Sequence, residues 1–189
     1  MPYPKPLPEL TGISLAELAR LAGDQKLPPV ERWHPRHCGH SGIRIARDGQ
    51  WIHQGSPIRR PEMVRLFSRI LRREPDGRFV LVTPAEMLDV EVEDAPFVAI
   101  ELRSEGDGRD RQLAFRLNTG DPVIAGADHP IRIADEKGDP HPTLRVRKGL
   151  EALIARPVYY ELAALALAEE SDPPGLWSDG CFFRLDGAS

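Results

Sequence analysis

The chain has little cysteine, no long apolar run and no excess of basic charge. Two cysteines in 189 residues, Cys38 and Cys181, are too few for a disulfide framework, so the fold is expected to rest on its core in a reducing compartment. No uninterrupted run of about 18 apolar residues occurs, and the first ten residues form a proline-punctuated polar stretch without the apolar core of a leader. Membrane insertion and secretion are therefore not expected, and the cytoplasm is the expected location. A net charge of −4 lacks the signature of a protein that coats nucleic acid through its phosphates. Also missing are the Gly-x-Ser-x-Gly elbow, the His-Glu-x-x-His helix, the phosphate-binding loop and the dinucleotide fingerprint. These absences argue against an enzyme and name no catalytic residue.

What is present is the pattern of a globular α+β protein. With 41% hydrophobic residues the chain can bury a core, and its nineteen prolines are dispersed as short connections. Pro2, Pro4, Pro6 and Pro8 predict an extended arm, and Ser14 with Glu17 a capping box opening a short helix edged by Leu15, Leu18 and Leu21. Ile43 to Gln54 alternates about Asp48-Gly49. That predicts a hairpin with a two-residue type I′ turn, Ile45 opposite Ile52 on one face and Ala46/Trp51 with Arg44/His53 on the other. Pro61 starts a helix whose stripe is Met63, Val64, Leu66, Phe67, Ile70 and Leu71. Strands are expected at 78–82, 88–93, 97–102, 112–117, 143–147 and 181–185, with a helical segment from Gly149. Ile-Arg-Ile-Ala at 43–46 recurs at 131–134, and Arg60-Pro61 is mirrored by Arg156-Pro157. The recurring order predicts an internal repeat of two related lobes, with residues 43–82 matching 131–185. The expected division is 1–35 for the arm and short helix, 36–95 for the first lobe and 96–189 for the second.

Several blocks carry a family resemblance: Cys38-Gly39, Ala-Arg-Asp-Gly at 46–49, Gln-Gly-Ser-Pro-Ile at 54–58, Glu-Asp-Ala-Pro-Phe-Val-Ala at 93–99, Ala-Gly-Ala-Asp-His-Pro at 125–130, and Gly-Leu-Glu-Ala-Leu-Ile-Ala-Arg-Pro-Val-Tyr-Tyr at 149–160. Together they resemble the bacterial domain-of-unknown-function family numbered 1285. The resemblance implies two similar α+β lobes and a role in ligand binding or signal transduction. It implies no catalytic residues, and His34, His37 and His40 lie outside its pattern.

Those histidines with Cys38 have zinc-binding chemistry, but ligands drawn from seven consecutive residues rarely close a tetrahedral site. No metal and no cofactor is expected. Asp89, Glu91, Glu93 and Asp94 read as the solvated side of a strand, not a cation site. Around the first helix Arg59, Arg60, Arg65, Arg69, Arg72 and Arg73 face only Glu62; their expected role is pairing with the acidic strand, in preference to nucleic acid. His53 and His129 lack an orienting acid in view. Arg145, Arg147 and Lys148 follow Leu144 and Val146 on a strand ahead of a helix, with both arginines projecting to one side.

The reading is a non-enzymatic regulatory or ligand-binding protein with a small anionic partner in a cleft between the lobes. The expected site is His53, Gln54, Gly55, Ser56 and Arg60 from the first lobe, with Asp128, His129, Arg145 and Arg147 from the second. Strand ends that feed helices supply unpaired N–H groups there. A hydrolase or transferase, or a protein-interaction scaffold, is the alternative. Membrane partners are not expected, nucleic acid is disfavoured, and a protein partner and the oligomeric state are left open.

Overall fold

The structure is a computed structural model that describes residues 27–187. The expected arm and the Ser14 helix lie outside the described residues.

Period-two alternation governs most of the chain from His37 onward. In the first half it yields β1 (His37–Ile45), β2 (Trp51–His53), β3 (Ser56–Pro57), β4 (Leu71–Arg73), β5 (Phe79–Val82) and β6 (Glu86–Val92), with helix α1 (Pro61–Arg69) between β3 and β4. These strands form one sheet in the order β3-β2-β1-β6-β5-β4. The second half supplies β7 (Phe97–Glu105), β8 (Gln112–Leu117), β9 (Pro122–Ile124), β10 (Ile131–Glu136), β11 (Asp139–Arg147) and β12 (Leu150–Ile154). Their order is β10-β11-β12-β7-β8-β9. Helix α2 (Arg156–Glu169) follows, and then a hairpin of β13 (Gly175–Ser178) and β14 (Cys181–Arg184).

The two sheets share one topology. Each consists of two three-stranded antiparallel meanders whose first and last strands meet in parallel, β1 with β6 and β7 with β12. The chain is thus α+β with two related lobes, but the correspondence expected from Ile-Arg-Ile-Ala is corrected. By sheet position β7–β12 repeats β1–β6, so 131–134 in β10 matches β4, not β1. A four-residue alternating match marks two strands of similar burial, not equivalent places in a sheet.

The β1–β2 hairpin forms with a different turn. Gly49 N–H donates to Ala46 O at 2.9 Å and Ala46 N–H to Gln50 O at 2.9 Å, with Gly49 at φ +86. This is a type I turn closed by a left-handed glycine bulge, one residue longer than the expected loop. Register moves by one, pairing Ile45 with Trp51 and Ile43 with His53. A one-residue slip exchanges the faces of one strand. Ile45 is now fully buried and Trp51 is 2% exposed on the same face. Each such burial contributes about 1.5–3 kcal/mol, so core packing decides against the shorter turn. The two-residue turns with positive φ at both centres lie instead at Gln54-Gly55, Lys137-Gly138 and Asp179-Gly180.

Two further expectations change. Leu150, Ala152 and Ile154 are buried and alternate, so the segment after Gly149 is strand β12 and the helix begins only at Arg156. In α1 the apolar stripe divides: Val64 and Phe67 pack on the core, Met63 and Leu66 stay exposed, and Arg65 and Ser68 are buried. Arg65 Nε donates to Thr119 O at 3.2 Å, which turns that face of α1 toward the second lobe.

One buried cluster runs through both lobes, from Ile43, Ile45 and Trp51 to Phe97, Phe115, Leu144, Leu162 and Phe183. A polar clasp reinforces it. Asn118 Nδ2 donates to Gly49 O at 3.0 Å, while its Oδ1 accepts from Val98 N–H at 3.0 Å.

Candidate functional site

The lobes meet around the linker between β6 and β7, and the charged tips of neighbouring hairpins gather there. Arg47 comes from the β1–β2 turn, Asp94 from the linker, and Glu136, Lys137 and His141 from the β10–β11 hairpin. His141 Nε2 donates to Asp94 Oδ1 at 2.8 Å, and Arg47 Nε stands 3.0 Å from Asp94 Oδ2. The side chains of Asp94 and His141 are 13% and 15% exposed, so this hydrogen-bonded pair is largely withdrawn from water. Glu136 approaches the other ring nitrogen, Nδ1, at 4.0 Å, and Arg47 Nη2 at 4.0 Å.

Beside this network lies a cavity of about 650 Å³. Its wall includes Arg47, Lys137 and Arg156 as cations, Glu136 and Asp139 as acids, and Tyr159 and Tyr160 from the first turns of α2. Arg156 opens that helix, where the leading N–H groups have no intrahelical acceptor and the dipole is positive. Among the described residues, none that lines the wall is a serine, threonine or cysteine.

A second cavity of about 340 Å³ is lined by Phe97, Gln112, Asp121, His129 and Arg147 among others. Arg147 Nη2 donates to Ser68 O of the first lobe, and its guanidinium lies 5.5 Å from the Phe97 ring centroid. Burial pushes the Arg147 pKa below its ordinary value, with Asp121 opposing that and Arg69 adding to it. A bulge explains its position. Arg145 pairs with Glu151 but Arg147 with Leu150, so Val146 is the extra residue and the two arginines fall on opposite faces of β11. The expectation that both project to one side is corrected by this irregularity.

Of the residues expected at the site, His129 and Arg147 share this second cavity, and none of the others lines it. His129 Nδ1 lies 3.1 Å from Arg145 O, and Asp128 is exposed in the turn before it. His53 ends β2 and is exposed, Gln54 and Gly55 form a tight turn, and Ser56 begins β3. The Gly55-Ser56 segment therefore does not feed a helix; that place falls to Arg60, the exposed N-cap of α1. None of these first-lobe residues lines the lobe-junction cavity.

The acidic strand finds other partners than the arginines near α1. Arg78 Nη1 donates to Asp89 Oδ1 at 2.8 Å, Arg44 pairs with Glu93, and Arg47 with Asp94. Arg72 instead bonds Glu74 and the carbonyls of Val30 and Trp33. His40 Nδ1 stands 3.8 Å from Asp89 Oδ2 on an exposed strand. Among the described residues no group of three or more His, Cys, Asp or Glu is arranged to hold a metal.

The sequence reading missed Arg47, His141 and Arg156 as site residues. Arg47 immediately precedes the Asp48-Gly49 turn and His141 stands between two prolines on a hairpin strand, but only the fold brings them to one linker.

Comparison with known proteins finds chains similar to this one. The family models described as "Domain of unknown function (DUF1285), N-terminal domain" and "Protein of unknown function (DUF1285), C-terminal domain" match residues 28–95 and 96–185. A crystal structure of a DUF1285 family protein from Silicibacter pomeroyi DSS-3 is similar at 47% identity and a TM-score of 0.77, covering 89% of this chain and 93% of that one. A second, from Shewanella baltica OS155, has 21% identity and a TM-score of 0.53 over 69% of this chain and 98% of that one, a likeness of fold. No curated protein matches.

Proposed function

This chain belongs to the DUF1285 family, and from that premise and the cavity at the lobe junction we propose that it is a cytoplasmic, non-enzymatic protein that binds a small anionic ligand in a signalling or regulatory role. One observation carries the reading: Arg47 from the first lobe and Lys137 and Arg156 from the second line one cavity of about 650 Å³, with the positive end of α2 at its wall. An anion there contacts both lobes, so binding couples to how they are held together. Asp94 and His141 act as a scaffold that orients Arg47.

The enzymatic alternative is less well supported. His141 has an orienting acid, which is the usual arrangement for a general base. Both of its ring nitrogens face carboxylates, however, Asp94 at 2.8 Å and Glu136 at 4.0 Å, and among the described residues the wall carries no serine, threonine or cysteine nucleophile.

The test is thermal stability of the purified chain against inorganic phosphate, pyrophosphate, nucleotides and dicarboxylates, since binding to the folded state alone must raise its melting temperature. A stabilising anion is expected, and Lys137→Ala or Arg156→Ala should weaken it by about 1.5–3 kcal/mol, the range for a hydrogen bond to a charged group. Stabilisation by no anion, or equal stabilisation of both variants, rejects the proposal.

A further inference from the structure

Helix α2 is apolar on more sides than its own chain covers. Its sequence, Arg-Pro-Val-Tyr-Tyr-Glu-Leu-Ala-Ala-Leu-Ala-Leu-Ala-Glu, has only Arg156, Glu161 and Glu169 as charged residues. The inward row is Val158, Leu162 and Ala166, exposed by 2%, 0% and 4%. Tyr160, Ala164 and Leu167 follow at the i, i+4, i+7 spacing of a second row, with Ala168 beside them. Tyr160 is 61% and Leu167 77% exposed, and Ala164 and Ala168 are exposed as well. A helix covered on one side only presents a polar outer face, whereas an apolar outer row marks a surface that packs on something else.

We propose that this outer row of α2 is a self-association surface, its occupant the same helix of a second copy of this chain, antiparallel about a two-fold axis at Ala164. The stripe is self-complementary. A two-fold at Ala164 sets Tyr160 of each copy against Leu167 and Ala168 of the other, and the small side chain at the centre lets the helices approach closely. The ends agree in charge. Arg156 begins the helix, Glu170 caps it and Asp172 follows, and among the described residues none of the three has a side-chain partner. Antiparallel packing brings Arg156 of one copy to Glu170 and Asp172 of the other and opposes the two helix dipoles. A parallel pairing would instead bring Arg156 to Arg156. Tyr160 also lines the lobe-junction cavity, so the second copy stands at the rim of that cavity.

Sedimentation equilibrium of the full chain, whose mass is 21.1 kDa, tests the proposal. A species of twice that mass is expected, and Leu167→Glu should raise its dissociation constant at least about a hundredfold, as burial of an unpaired carboxylate in an apolar contact predicts. A circular-dichroism melt of the variant confirms that it folds. In a Cys38→Ser, Cys181→Ser background, Ala164→Cys should give a covalent dimer on oxidation, because the two-fold at that position brings residue 164 to its own copy, and Arg156→Cys in the same background should not, because antiparallel packing holds the two residues 156 apart. A chain that stays monomeric at its highest soluble concentration overturns the proposal. So does a dimer indifferent to Leu167→Glu and not cross-linked through Ala164→Cys. A monomer that dimerises only after removal of residues 1–26 also overturns it, by showing that the chain's own N-terminal segment occupies the surface.

Discussion

Gly49→Ala probes how the lobes are fastened. Gly49 has φ +86, and a Cβ there would stand 2.6 Å from Asn118 Nδ2 and 2.9 Å from Val98 Cγ2. Two costs follow. The left-handed backbone costs an alanine about 1–2 kcal/mol. Displacing Asn118 weakens its bond to Gly49 O and, through its Oδ1, the one from Val98 N–H, at about 1 kcal/mol each. The sum is about 3–4 kcal/mol, read as a lower midpoint in urea denaturation followed by tryptophan fluorescence. Gly55→Ala is the control: its φ is +81, yet nothing lies within 4 Å of its added Cβ, so it should lose only the backbone share. Gly49→Ala with Asn118→Ala should lose less than the two single changes together, since removing the amide opens the space the methyl needs. Equal losses for Gly49→Ala and Gly55→Ala would refute the reasoning, because the contact with the second lobe would then contribute nothing.

Arg147→Ala should lower stability by about 1–3 kcal/mol, losing its bond to Ser68 O and its packing on Phe97, while Arg147→Met should lose clearly less because it keeps the stem and removes a poorly solvated charge. Chemical denaturation ranks the two, and an equal loss would show that the charge itself holds the site. Glu169 is held below its ordinary pKa by hydrogen bonds from Arg111 and from Gly108 N–H. A depressed folded value gives stability that is present above the unfolded pKa and lost as pH falls through the folded one. Glu169→Gln should therefore be less stable than the unaltered chain at neutral pH, with the gap closing in the acid range. Melting temperatures across pH measure this, and a gap independent of pH would contradict the pairing.

Sequence alone revealed those parts of the fold whose signal is local and periodic. β5, β6, β7, β8 and β14 lie close to their expected positions because alternation and flanking turns mark them. From Gly149 the sequence predicts helix, since a run of leucine, isoleucine and alanine satisfies both periods, and only its pairing with β7 and β11 makes it a strand. The first hairpin's register depends on the burial of Trp51, whose ring stacks on Phe67 of α1 at 6.4 Å, a contact that the hairpin's own alternation does not announce. Irregularities were the least legible. Nothing in Arg145-Val146-Arg147 announces a bulge, yet that extra residue turns Arg147 inward. The lobe-junction site escaped for a related reason: Arg47, Asp94, His141 and Arg156 are spread over more than a hundred residues, and the hairpin tips that unite them are ordinary charged turns when read singly.

The parallel pairing at the centre of each sheet also sets a schedule for folding. β1 joins β6 through His37 and Glu86, and β7 joins β12 through Phe97 and Ala152, so the middle of each sheet closes only when its last strand arrives. Until then each lobe consists of separate meanders whose future central edges are open to any other strand. Closure over such separations is slow, since the chain loses its entropy before the contacts reward it. Folding during synthesis is therefore expected in two steps, one when Val92 clears the ribosome and one when Ile154 does, and chains interrupted between β1 and β6 or between β7 and β12 are the species most prone to aggregate.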